Sequence, residues 1–506
     1  MRNFFLPILL IFASLVSCNA QDFVTRWQLP TGTSFISFGC SRVGGAVSYT
    51  WQQLPAGASG SGSLAAGISV VTITGLPSGS TIRLSLSPTN LKAFKIGGSS
   101  AREYLLDVEK WGTAKWSDMA YSFNECYNLN ITATDIPNLD SITKCNSMFQ
   151  NCFNLNGPTN IDSWNTSNVI DMHQMFQNAK KFNQSIGNWN TSKVTDMSEM
   201  FSFAVDFNQP INNWITSNVT NMSYMFYSAR AFNQPIGNWN TSKVTDMSHL
   251  FQSAKKFNQP IGNWNTENVT NMAVMFYDDS AFNQPIGNWN TENVINMNYM
   301  LGSTQDFNQS IGNWNTEKVV NMDHLFYNAK SFNQDLGTWR LDSLKFPFGM
   351  LDSCGLSCIN YANTLKGWNT NPSTPNNLNF SAAGLLYGSN AVAARDSLIN
   401  IKRWFILGDI LGSCDITTGI TDSRNNLDIS IYPNPTRHLL NIDMKNIAGE
   451  KIIQLSNTNG EIILQQKSST NSDFIQLDVS YLPKANYLLQ IKTDKNEVQS
   501  FPFLVQ

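Results

Sequence analysis

Charge is scarce in this chain. Only 14% of its 506 residues are Asp, Glu, Lys or Arg, and the formal net charge is −3, against about a quarter charged in ordinary soluble domains. With no basic field, no nucleic acid partner and no pull toward anionic membrane are expected. Histidine is scarcer still, with His173, His249, His324 and His438 the whole supply. No Gly-rich phosphate loop follows a strand and no G-x-S-x-G elbow occurs. Past the N-terminus no apolar run is long enough to span a bilayer, so no transmembrane segment is expected. These absences predict a protein that is not an enzyme and holds no cofactor and no metal.

The one long apolar run is at the start. Arg2 precedes Phe4 to Val16, and Ser17-Cys18-Asn19-Ala20 supplies small residues, the pattern of a signal peptide (residues 1–20) cleaved between Ala20 and Gln21. Leu15-Val16-Ser17-Cys18 also resembles a bacterial lipobox, which would instead make Cys18 a lipidated first residue. Without Cys18 seven cysteines remain, an odd number that argues against a complete disulfide framework. Cys126, Cys152 and Cys354 take a place held in other copies of a repeat by alanine, and so read as small buried residues. Either Cys354 with Cys358, or Cys126 with Cys152, could bridge in an oxidising compartment.

What is abundant is repetition. Trp164, Trp189, Trp214, Trp239, Trp264, Trp289, Trp314 and Trp339 are each 25 residues apart. Around them runs nearly one phrase, F-N-Q-P-I-G-N-W-N-T-S-K-V-T-D-M-S-H-L-F-Q-S-A-K-K from Phe232 to Lys256. A fixed period of this length marks a solenoid, whose units bury their apolar faces only by stacking. Residues 108–352 hold about ten such rungs. In one rung Thr245 to Ala254 reads as a short helix, because Met247, Leu250, Phe251 and Ala254 fall at i, i+3, i+4 and i+7. Asp171, Asp196 and Asp246 would then sit at helix N-termini. Pro and Gly forbid a helix over Asn233 to Trp239; that stretch reads as a strand, paired in parallel to the next rung at about 4.8 Å. Burying one large apolar side chain is worth ~1.5–3 kcal/mol, most of which chain entropy consumes, so a lone rung should not fold.

The flanks differ. Residues 21–107 show short apolar alternations cut by Gly, Pro and Ser, as in a β-sandwich. Residues 353–412 read as a cap for the array, with helices from Ser357 to Trp368 and from Ser389 to Trp404. Residues 413–428 are a polar linker. Residues 429–506 carry Tyr432-Pro433-Asn434-Pro435 and further strand-like runs, two of them joined at Asn459-Gly460.

The phrase F-N-Q-x-I-x-x-W-x-T-x-x-V-x-x-M-x-x-M-F resembles the 25- or 26-residue repeats of BspA-like bacterial surface proteins of the leucine-rich-repeat group. The lead-in Val108-Glu109-Lys110-Trp111-Gly112 is similar to that of such arrays in Bacteroidetes proteins. The last 78 residues resemble the type A sorting domain of the type IX secretion system, although Ala485 replaces the usual Gly and the final segment lacks the common basic residue. Together these likenesses imply an α/β repeat solenoid (leucine-rich-repeat-like) flanked by an N-terminal β domain and a C-terminal β-sandwich sorting domain. They imply a secreted or outer-membrane-surface protein, with the type IX machinery as one partner through the C-terminal domain.

Two columns of amides recur. Asn183, Asn208, Asn233, Asn258, Asn283, Asn308 and Asn333 follow the phenylalanine, and most tryptophans are followed by another Asn, with Ile215 and Arg340 as breaks. Both read as ladders that satisfy turn backbone. Ligand contacts are sought where the copies vary. Gln177, Ser202, Tyr227, Gln252, Tyr277, Gly302 and Tyr327 occupy one such position, and Gln177, Tyr227, Gln252, Tyr277 and Tyr327 have side chains suited to recognition. The expected role is a non-enzymatic adhesion or recognition scaffold for an extracellular protein or glycan. The alternative is a carbohydrate-binding accessory protein whose site lies in the N-terminal β domain.

Overall fold

The structure is a computed structural model that describes residues 21–97, 99–412, 414, 429–432, 436–444, 449–457, 461–468, 474–494 and 498–505. The expected signal segment through Ala20, most of the linker, and Pro433, Asn434 and Pro435 lie outside the described residues. The chain divides into two compact units after Gly412.

The first unit begins with β1 (Phe23–Gln28), β2 (Phe35–Arg42), β3 (Val47–Leu54), β4 (Ser59–Leu64), β5 (Gly67–Thr74), β6 (Thr81–Leu86), β7 (Leu91–Lys95) and β8 (Leu105–Lys110). Alternation sorts their side chains: Phe23 and Trp27 of β1 and Ile82, Leu84 and Leu86 of β6 are buried while their neighbours face out. One sheet runs β4-β3-β6-β1-β8 and the other β5-β2-β7. Phe38 and Phe94 meet between them at 4.9 Å. The first sheet then gains β9 (Asn130–Ile131), which lies parallel to β8 and belongs to the first rung of the array. The core therefore continues without a break from Phe23 into the repeats.

The repeats correct the expected α/β repeat solenoid. Between Ile131 and Cys358 the described chain holds no α-helix and no strand, only turns and one 3-10 segment, Ile161–Ser163. The stretch read as a helix, Thr245 to Ala254, is two tandem turns. Leu250 donates its N–H to the Met247 carbonyl at 3.4 Å and Ala254 to that of Phe251 at 3.0 Å. The third residue of each turn, His249 and Ser253, has φ of 57° and 56°, the mark of type II geometry. Two left-handed residues four apart are incompatible with a right-handed helix. Alternate backbone N–H groups turn outward: Met247, His249, Phe251 and Ser253 donate to Asn271, Ala273, Met275 and Tyr277 of the next rung at 2.8–3.0 Å.

Neither does Asn233 to Trp239 form the expected parallel strand. The backbone bridge between rungs lies instead at the Asp or Asn before the turns, as in Asp246↔Asn271. Those side chains do not cap helices; Asp246 Oδ1 accepts the Ser248 N–H two residues on, at 2.8 Å. Over the Pro-containing stretch, where proline removes a donor, side chains take over. Asn233 Oδ1 accepts the Asn258 N–H at 3.0 Å, and the same bond recurs from Asn183 to Asn333. Approach is close at Gly262, where a Cβ would lie 2.5 Å from the Pro285 carbonyl oxygen, although Asn212 fills the same place in another rung.

The interior is three ladders of rings. Phe201, Phe226, Phe251 and Phe276 stack at 5.7 Å. Phe207, Phe232, Phe257 and Phe282 stack at 6.0–6.2 Å. Trp189, Trp214 and Trp239 stack at 6.4–6.5 Å within 3° of parallel. Each tryptophan of the series is almost wholly buried.

Residues 353–412 close the stack. The helix α1 (Cys358–Thr370) and α2 (Val392–Asn400) are the only α-helices among the described residues. The second is shorter than the expected Ser389 to Trp404, since a 3-10 turn precedes it and the chain leaves it after Asn400. α1 copies the bonds of a rung: Ser357 N–H donates to Asn333 Oδ1 at 2.7 Å and Trp368 Nε1 to the Leu336 carbonyl at 3.0 Å. Short parallel pairs follow, β10 (Asn379–Ser381) with β12 (Phe405–Leu407) and β11 (Leu386–Tyr387) with β13 (Ile410–Leu411). Cys126, Cys152 and Cys354 are free, buried thiols, which rules out both bridges considered above; Cys358 and Cys414 are disulfide-bonded.

The second unit contains β14 (Ser430–Tyr432), β15 (Leu439–Asp443), β16 (Lys451–Asn457), β17 (Ile462–Ser468), β18 (Phe474–Asp478), β19 (Asn486–Thr493) and β20 (Val498–Leu504). They form sheets β14-β15-β18 and β17-β16-β19-β20 around Leu440, Ile442, Ile453, Leu455, Leu489, Ile491 and Phe503.

Candidate recognition face

The tandem turns decide what each rung shows to solvent. Met, Met or Leu, Phe and Ala point inward at four of eight positions; the residues between them turn away from that core, and the small ones, such as Ser198, Ser202, Ser228, Ser248 and Ala273, are covered by their neighbours. Two outer positions are left-handed, and neither is reserved for glycine. The first is filled by Gln174, Glu199, Tyr224, His249, Val274, Tyr299 and His324, with φ of 52° to 60°. The predicted contact residues Gln177, Tyr227, Gln252, Tyr277 and Tyr327 lie three residues further on, on the same face.

The structure gathers them into two groups. In the first, Tyr227 meets Phe203 edge-on at 4.6 Å and Tyr224 at 5.9 Å, and Tyr224 stacks flat on His249 at 4.0 Å. Gln252 closes this group, with Oε1 2.7 Å from His249 Nδ1. In the second, Tyr277 meets Tyr299 at 5.4 Å, Tyr299 stacks on His324 at 4.5 Å, and His324 touches Tyr327 at 5.5 Å and Phe348 at 5.9 Å. Gly302 leaves the room that Tyr277 uses, since a Cβ there would lie 3.0 Å from its ring. Gln177 stands apart from both, hydrogen-bonded to Gln150 and Glu199. Phe203 and Tyr327 are exposed; Tyr227, Tyr277, Gln177 and Gln252 are half-buried.

Sequence reading missed Phe203, Tyr224, His249, Tyr299, His324 and Phe348 as members of this face. A signal was present, because the position two after the Met column varies as freely as the one chosen. The two histidines are indeed separated by intervening rungs, but each lies against a tyrosine of the rung before. Burial lowers the His249 pKa, opposed in part by its bond to Gln252 and by Asp246, so the ring is neutral at pH 7. Burial first, then Glu199 and Asp246, raise that of Tyr224. Carboxylates border both ring groups: Glu199 and Asp246 lie near Tyr224, and Asp323 Oδ2 is 3.2 Å from His324 Nδ1. The face offers aromatic carbon and single hydrogen-bonding groups. Among the described residues no three His, Cys, Asp or Glu side chains gather as metal ligands.

Three tandem stretches, 99–160, 143–262 and 245–368, match the family described as Mycoplasma protein of unknown function, DUF285. The chain belongs to that family. Its DUF285 region thus spans the turn-built rungs and reaches into α1. Residues 430–502 match the secretion system C-terminal sorting domain. This DUF285 protein is therefore exported by the type IX system to the cell surface or the medium. Tyr432 lies at the end of β14, within that domain. No curated protein and no solved structure matches the chain. No helix among the described residues is long and apolar enough to cross a membrane.

Proposed function

We propose that the protein is a non-enzymatic recognition scaffold, an adhesin whose rungs hold an extracellular protein or glycan against the face of Tyr227, Tyr277 and Tyr327. One observation carries this reading. Residues that repeat are consumed by ring ladders and inter-rung bonds, whereas the residues that vary are collected on one face as aromatic and amide side chains. Tyr and amide side chains give contact area and adaptable hydrogen bonds at low entropic cost. Export by the sorting domain puts that face where such a partner is met, and the likeness to BspA-like surface proteins agrees with it. The N-terminal signal segment and its cleavage at Gln21 belong to the same reading.

The test is to screen the secreted full chain on glycan and host-matrix arrays beside Tyr227→Ser/Tyr277→Ser/Tyr327→Ser. Loss of the captured ligand in the triple variant is expected. Undiminished capture would overturn the assignment of this face.

A second reading places a carbohydrate site in the N-terminal sheets. It is favoured by Tyr49 and Trp51, which lie across Gly60 and Gly62 of the neighbouring strand so closely that a Cβ at either would clash with a ring. The opposite face of the same strands carries a cavity of 460 Å³ lined by Thr50, Gln52, Ser59, Ser61 and Arg83. Trp51→Ala would abolish glycan capture under this reading and leave it intact under the first.

A further inference from the structure

The last rung departs from the repeat where it is otherwise polar. Asp171, Asp196, Asn221, Asp246, Asn271, Asn296 and Asn321 share one position, and the next residue in that column is Phe346. Two residues on, His173, Ser198, Ser223, Ser248, Ala273, Asn298 and Asp323 give way to Phe348. The backbone does not require the change. Met322 and His324 still donate to the carbonyls of Phe346 and Phe348 at 2.9 Å, as in every other rung. Phe346 even abandons a bond, because in rungs with Asp or Asn at this place the side chain accepts the N–H two residues on.

The two phenylalanines are 56% and 46% exposed, although neither position faces the core. Large exposed apolar side chains that gather are the informative kind. Here they flank a cavity of 360 Å³ whose other walls are Asn321, Asp323, Lys345, Pro347 and Asn379. The neighbouring Gly349 has φ of 65°, and a Cβ there would meet the His324 ring at 2.6 Å. The glycine lets that ring close down beside Phe348.

We propose that this cup binds one ring of a neutral saccharide. Aromatic carbon suits the C–H face of a sugar ring, and a small number of placed polar groups suits its hydroxyls. The formal charges of Asp323 and Lys345 cancel, so the cup selects neither an anion nor a cation. The proposal rests on the recognition reading above but uses a different set of residues. It assigns a ligand class and a place at the capped end of the array.

The experiment uses the full-length secreted protein and a panel of soluble neutral oligosaccharides built on glucose, mannose, galactose and N-acetylglucosamine, read by calorimetry. The variant Phe346→Asn/Phe348→Ser carries residues that other rungs use at these positions, so thermal unfolding should be no lower than in the parent. Expected are saturable binding of at least one neutral oligosaccharide and a loss of about tenfold or more in its affinity in the variant, a change of at least ~1.4 kcal/mol. Two results would overturn the proposal: no neutral oligosaccharide bound, or binding untouched by the double substitution. A ligand kept by this variant and lost by the Tyr227/Tyr277/Tyr327 triple variant overturns the cup while leaving the scaffold reading standing.

Discussion

The indole N–H of Trp239 donates to the carbonyl oxygen of Ile211, 3.2 Å away in the preceding rung. The same bond links Trp214 to Ile186 at 2.9 Å and Trp264 to Ile236 at 3.1 Å. From Trp189 to Trp339 every tryptophan of the series makes this cross-rung tie, whereas the buried Trp164 indole N–H has no partner. Trp239→Phe keeps aromatic carbon but removes one of two bonds to the Ile211 carbonyl, which still accepts the Trp214 N–H at 3.2 Å, a loss of about 0.5–1.5 kcal/mol. A lower midpoint in chemical or thermal unfolding is the expected result; an unchanged midpoint would show that the indole is held by volume alone.

The asparagine ladder makes a second, separable contribution. Asn258 Oδ1 accepts both the Asn283 N–H at 3.0 Å and the Gln284 side-chain amide at 2.9 Å. Asn258→Ala strands both donors. It should cost about 1–2 kcal/mol, and Asn258→Asp, which keeps the acceptor, should recover most of it. Hydrogen exchange at the Asn283 amide is the direct readout: faster in the alanine variant, near the parent rate in the aspartate variant.

One rung carries a buried fault. Asp279 stands where Ala229, Ala254 and Ala329 occur in other copies, is fully buried, and has no well-aligned hydrogen bond to either carboxyl oxygen, the Ala281 N–H giving only a weak contact. Burial raises its pKa well above the ordinary value of 3.8, and the Ala281 backbone and Lys255 only partly oppose this. The folded pKa is thus above the unfolded one. The penalty is absent below the unfolded value, grows as pH rises through about 4, and is complete once the folded value is passed. Asp279→Ala should add about 1–3 kcal/mol at neutral pH and nearly nothing of that electrostatic gain below pH about 3. Equal gains at both pH values would mean that packing, not charge, is the cause.

Val274 is a β-branched residue held at φ of 60°, a region that costs such a side chain about 1–2 kcal/mol. Asparagine tolerates this conformation. Val274→Asn should raise the unfolding midpoint, and a drop would show that contacts of the valine outweigh its backbone strain.

Much of the array was legible in the chain. The 25-residue spacing of Trp164 to Trp339 implied stacked units, and the invariance of the tryptophan and of Asn183 to Asn333 among the copies implied a buried ring column and an amide ladder. The helix was misread for a definite reason. Tandem four-residue turns place Met247, Leu250, Phe251 and Ala254 on one side, and over eight residues a period of four is indistinguishable from 3.6. Nothing in His249, Ser253 or Val274 announces a left-handed backbone, because asparagine and glycine are the usual signs and few stand there. The candidate face was half legible for the same cause. Tyr227, Tyr277 and Tyr327 could be picked by their variability, but Tyr224, His249, Tyr299 and His324 joined them only once the turns had brought both outer positions to one side.

By itself the sequence determined the period, the identity of the buried rings and the export address at the C-terminus, because each is written as residue type at fixed spacing. Tertiary structure alone decided that the rungs are turns. A left-handed residue is unfavourable within one isolated rung, and it becomes tolerable when the N–H it turns outward finds a carbonyl on the next. That bond does not exist until the neighbour has stacked, so no local stretch of the chain could disclose it.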